Sequence, residues 1–214
     1  MPSEPCFIKA VDHTRPYGSH RYDMYGPKIG RNLTLFGETA VRAWTLLESD
    51  PQILSYCERP IVIDHAKPKR VIDFWARRGN RDELWILLKD SEIEAQDGNS
   101  FRSPSFQQWV ASNDFELKLI DPGDLYNENF YFGNWGVILR YLSQNEKFVP
   151  AELTDQVFEL SRAPTTLAML ERQLPEYDQV VVRTALFSLL HQGKMECVAI
   201  HTEPLGAQSQ FVAI

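Results

Sequence analysis

Hydrophobic and polar positions change period several times along this chain, and each change marks an element. In residues 38–49, ETAVRAWTLLES, Ala40, Val41, Trp44 and Leu47 recur at the spacing of one helix face, and Asp50-Pro51 stops the run. Residues 53–64 read as extended chain broken by Pro60. Residues 70–76, RVIDFWA, and 83–89, ELWILLK, read as two strands joined by a loop whose Gly79-Asn80 is a hairpin turn signal. A helix over 104–112 and a strand over 115–120 follow. The order helix, strands, helix, strand predicts an α/β sandwich around a mixed sheet.

Asp121-Pro122-Gly123-Asp124 is a turn-forming cluster and the natural boundary between a domain of residues 1–120 and one of residues 121–214. The second domain is mainly helical, with helices expected over 135–144, 152–161 and 165–173. Asp178 suits the N-cap of a further helix running to Gln192, and Gly193 suits the position just past its end. Strands at 195–200 and 210–214 close the chain, so helix, turn, helix and hairpin give a winged-helix-like outline.

The 214 residues carry a formal charge of −7, which taken alone argues against nucleic-acid binding. The charge is unevenly placed. Residues 1–120 hold 16 Lys and Arg against 17 Asp and Glu, whereas residues 121–214 hold 6 against 12. Arg15, His20, Arg21, Lys28 and Arg31 form one basic cluster, and Lys67, Lys69, Arg70, Arg77 and Arg78 a second. Any phosphate-binding surface therefore belongs to the first domain, although such clusters also suit a merely solvated face. Cys6, Cys57 and Cys197 match no zinc or disulfide spacing, which fits a reducing cytoplasm. No signal peptide is expected, and no apolar run has the length of a membrane span.

Metal-assisted phosphodiester cleavage needs carboxylates to hold the ion and a cation to meet the charge that develops on phosphate. Asp73 sits inside an apolar strand and Lys89 ends the next one. If Trp75 pairs with Trp85, Asp73 faces Leu87 and Lys89 is its diagonal neighbour. A slip of one residue would undo that arrangement. Taken singly, both residues also suit ordinary strand surface. Glu38 opens a helix, where it favours the dipole and can pair with Arg42.

From about Ser19 to Ile120 the chain resembles the TnsA family, the endonuclease subunit of heteromeric transposases with a restriction-endonuclease-like fold. SHRYDMYGPKIGRNLTLFGETAVRAW resembles that family's approach to its catalytic helix, VIDFWA its metal-binding strand, and LWILLK its Gln-x-Lys strand. The resemblance implies Glu38 and Asp73 as ligands of Mg²⁺ or Mn²⁺ and Lys89 as the catalytic cation. It also implies double-stranded DNA at transposon ends as substrate, with a partner transposase and an ATP-dependent regulator as partners. The chain departs from the family at Leu87, where a Gln or Glu ligand is expected; Asp90 and Glu92 are nearby carboxylates outside that strand position. Two alternatives stand beside the endonuclease: a nuclease-like assembly subunit of weakened chemistry, which Leu87 favours, and a winged-helix regulator. The regulator would need a basic recognition helix, and residues 179–192 offer only Arg183 and His191.

Overall fold

The computed structural model describes residues 5–63, 70–94, 101 and 103–214. Their contacts divide the chain into two units, Met1–Leu47 with Gln52–Asn127, and Glu48–Pro51 with Glu128–Ile214. The turn cluster at residues 121–124 lies within the first unit, where it opens a short helix.

The first unit begins with an antiparallel hairpin, β1 (Arg21–Gly26) and β2 (Arg31–Phe36), which the hydrophobic pattern did not announce. Helix α1 (Glu38–Ser49) follows at the expected residues. The central sheet has the order β3-β6-β7-β8, formed by β3 (Ile53–Glu58), β6 (Phe74–Arg78), β7 (Arg81–Leu87) and β8 (Phe115–Ile120). The first three strands run antiparallel, and β8 joins β7 in parallel, so the sheet is mixed. A small pair, β4 (Val62–Ile63) with β5 (Arg70–Val71), flanks it. Helices α2 (Asp90–Glu94) and α3 (Pro104–Ser112) lie between β7 and β8 in the chain, and α4 (Pro122–Tyr126) follows β8.

The sheet is covered on both faces. On one, Trp44 of α1 donates through Nε1 to the hydroxyl of Tyr56, at 2.7 Å. On the other, Phe106 and Val110 of α3 close over Cys57, Trp75, Leu84 and Ile86. The β6–β7 turn has two residues, Gly79 and Asn80, because Arg78 pairs with Arg81. Gly79 supplies the positive φ of 55° that such a tight turn requires.

The register corrects one expectation. Trp85 lies opposite Phe74 and Trp75 opposite Leu84, so the two tryptophans do not pair and point to opposite faces. Trp75 is fully buried under α3, whereas Trp85 lies on the α1 side with its Nε1 donating to Glu83 at 2.8 Å. Two large indoles are thereby shared between two packed layers.

The second unit is mainly helical. It contains α5 (Asn129–Asn145), α6 (Ala151–Leu160), α7 (Leu167–Gln173) and α8 (Gln179–His191). A three-stranded sheet of order β10-β11-β9 joins β9 (Thr165–Thr166), β10 (Met195–Cys197) and β11 (Gln210–Ala213). Helix α8 is buried at Val182 and continuously from Thr184 to His191, so it is the axis of this unit. At its end the His191 ring meets the fully buried Glu48 carboxylate at 2.8 Å.

Candidate functional site

A cleft of about 500 Å³ opens in the first unit, and Asp73, Leu87 and Lys89 all line it. Its walls also include Glu58 at the end of β3, Gly37 and Thr39 at the start of α1, and Asp12 and Arg59.

A local break in the ladder brings Asp73 there. With Phe74 opposite Trp85, a regular strand would turn Asp73 to the α3 face. The strand is interrupted at Ile72 and Asp73, however. The Asp73 N–H donates to the Trp85 carbonyl at 3.1 Å, so both Asp73 and Phe74 answer Trp85, the arrangement of a bulge. The carboxylate is re-aimed, and its Oδ2 accepts from the Leu87 N–H at 2.8 Å. Burial pushes the Asp73 carboxyl up from the usual carboxylate range, against the opposing pull of Arg70 and the Leu87 N–H.

Arg70, at the start of β5, fills the space beside that carboxylate. Its Nη2 lies 3.3 Å from Asp73 Oδ2 and donates to the Leu87 carbonyl at 2.6 Å. Its Nε donates to Glu92 at 3.1 Å. Glu92 in turn accepts from the backbone N–H of Lys89 at 2.9 Å, which caps the start of α2. The Lys89 side chain is exposed. Leu87, where the family resemblance expects a ligand, is 7% exposed and contributes only its backbone to this cluster.

Glu38 is not among the cleft's lining residues, although its neighbours Gly37 and Thr39 are. It pairs with Arg42 at 2.9 Å, the i,i+4 partner that helix geometry offers. Glu58, which the sequence offers in a Glu-x-Pro element but to which no role was assigned, does line the cleft and is held by Arg31 at 2.6 and 2.9 Å. In the β3–β6 register it lies opposite Phe74, next to Asp73.

Arg59 shapes the opposite wall. It adopts a positive φ of 46°, rare for a side chain this large, and its N–H donates to the Asp73 carbonyl at 2.8 Å. Its guanidinium pairs with Asp12. The strained residue thus joins the N-terminal arm to the strand that carries Asp73.

The basic clusters divide. Arg77 pairs with Asp82 at 2.7 Å, Arg78 with Glu83 at 2.7 Å, and Lys28 donates to the Leu47 carbonyl at 2.8 Å. With Arg31 and Arg70 also engaged, these five stabilise the fold, and a phosphate would have to compete for them. Arg15, His20 and Arg21 are exposed on the arm and the start of β1, where Arg15 donates to the Ser19 carbonyl at 2.7 Å and Arg21 pairs with Asp23 at 2.9 Å. Lys67 and Lys69 lie outside the described residues.

The side chains do not form a cage for the divalent ion that the resemblance implies. Among the described residues no group of three or more His, Cys, Asp or Glu is arranged to hold a metal. Asp73 is shared with Arg70, Leu87 supplies no donor side chain, and Glu58 belongs to Arg31. Burial pushes the Cys57 thiol up to about 12, so this cysteine is no nucleophile in their place. No family model matches the sequence, and no curated protein matches it.

Proposed function

We propose that this chain is the endonuclease-type subunit of a DNA transposition complex, acting on a phosphodiester held in the Asp73–Lys89 cleft. The observation that supports this reading most is the bulge at Asp73. It brings a half-buried carboxylate to the cleft that Lys89 also lines, at the end of a mixed sheet lying between two helices. That layering agrees with a restriction-endonuclease-like fold. Lys89 would meet the phosphate charge, and the exposed Arg15, His20 and Arg21 would hold the backbone without reading sequence. If cleavage uses a divalent ion, Asp73 is the carboxylate of this set that would have to give up a partner to take it.

The second unit fits a winged-helix-like module, because α6, β9, α7, α8 and the β10–β11 pair follow that order. Its α8 is ill suited to a DNA groove. The helix is buried over most of its length, and Arg183 is occupied by Glu171 at 2.5 Å and Tyr141 at 3.2 Å. Binding a partner protein is the better role for this unit.

Leu87 and Arg70 specifically favour a second reading, a nuclease-like assembly subunit that grips DNA with little or no cleavage of its own. Nicking of a plasmid carrying element ends, with the partner transposase present, separates the two. The endonuclease reading expects nicked product from the parent and none from a folded Asp73→Ala variant. Duplex binding that depends on Lys89, without nicking, gives the assembly subunit. Binding that is indifferent to Lys89 would remove the cleft from both accounts.

A further inference from the structure

Arg70 is nine-tenths buried, and each of its contacts in the cleft is to oxygen. Asp73 Oδ2, Glu92 Oε1 and Oε2, and the Leu87 carbonyl lie 3.3, 3.1, 3.4 and 2.6 Å from its nitrogens. Nη1 donates to the Val71 carbonyl at 3.1 Å. Two carboxylates and a backbone carbonyl converging on one point form the all-oxygen donor set that hard divalent cations take. Here a side chain of the protein itself stands at that point. The guanidinium neutralises one of the two carboxylate charges and satisfies the carbonyl, so the cluster is stable with no ion at all. Glu92 is not in the strand position of a usual ligand, yet its α2 cap turns it toward the same centre.

We propose that Arg70 is an internal cation that competes with a divalent metal for the oxygens of Asp73, Glu92 and the Leu87 carbonyl, and so holds metal affinity down. This deepens the phosphodiester reading of the cleft, on which its functional meaning rests. Metal binding can be read without DNA, so the two can fail separately.

The test titrates Mn²⁺ into the full chain and follows free Mn²⁺ by electron paramagnetic resonance. The parent is expected to bind only weakly. Arg70→Gln, which keeps much of the side chain but not the charge, should tighten binding about tenfold or more, the size of effect that neighbours of metal ligands commonly have. Asp73→Asn in that background should abolish the gain. The same variant should melt higher with Mn²⁺ than without, because a ligand of the native state stabilises it. Should Arg70→Gln fail to fold, Arg70→Lys takes its place: it keeps the charge but loses the fork, and a smaller gain over the parent is expected. Tight, Asp73-dependent Mn²⁺ binding by the parent would overturn the proposal, and so would a folded variant with no gain. A failed titration would leave the plasmid-nicking result standing on its own.

Discussion

Leu87 shows how one side chain can answer to two demands. It lines the cleft where a ligand would be useful, yet it is buried and lies beside Ile120 of the parallel strand. Replacing it with Gln places an amide where few partners exist, at a cost of about 1–3 kcal/mol. Thermal melting of Leu87→Gln should show that loss; an unchanged melting temperature would mean that the amide finds donors in the cleft. Asp73 gives a second expectation, in pH. Its folded pKa lies above the unfolded value, so over the intervening range the native state holds a proton that the unfolded chain releases. Stability from this group is present in acid and is lost as pH rises. Asp73→Asn should therefore gain on the parent as pH rises above the ordinary carboxylate range, read as the difference in melting temperature. A gap that shrinks with rising pH would show that Arg70 outweighs burial. The same rule with opposite sign applies to Glu83. Burial works to raise it, but hydrogen bonds from Trp85, Lys118 and Arg78 outweigh burial and hold it low.

Among the elements, the strand that carries Asp73 and the helix at the axis of the second unit depend on specific backbone features. The break at Ile72 and Asp73 turns a register that would hide the carboxylate into one that presents it. Just past the end of helix α8 stands Gly193, at φ 70°, and a Cβ there would stand 2.6 Å from the Cβ of Pro51. Gly193→Ala meets both the left-handed penalty of about 1–2 kcal/mol and a ring with little room to move. Its melting temperature should fall accordingly. A variant as stable as the parent would show that the turn after α8 relaxes freely.

For the whole molecule, the question is where DNA would touch. The second domain's acidic balance and the buried α8 both favour the first unit. Arg15→Glu and Arg21→Glu should weaken duplex binding for all sequences and reduce the slope of log affinity against log salt by about one per lost phosphate contact. Arg140→Glu and Arg172→Glu, exposed in the second unit, should change neither. The reverse pattern, measured by fluorescence anisotropy across salt concentrations, would move the DNA surface to the second unit. No helix among the described residues is long and apolar enough to cross a membrane.

The sequence alone determined the elements whose signals are local. Helix α1 was legible in the spacing of Val41, Trp44 and Leu47, α3 and β8 at the residues they occupy, the β6–β7 turn in Gly79-Asn80, and the cap of α8 in Asp178, whose carboxylate accepts from the Val180 N–H at 2.7 Å. These follow from side-chain period, turn conformation and capping within a few residues. The sequence also named Asp73, Lys89 and Leu87 as neighbours. Tertiary structure alone decided how they meet. Register depends on which tryptophan each packed layer accepts, so the Trp75–Trp85 pairing could not be excluded in advance. The bulge that returns Asp73 to the cleft has no local signature. Nor does the choice of Arg70, from a cluster of similar cations, as the one buried among oxygens. Partners of a charge are set by chain segments far apart in sequence, and only folding brings them within hydrogen-bond reach.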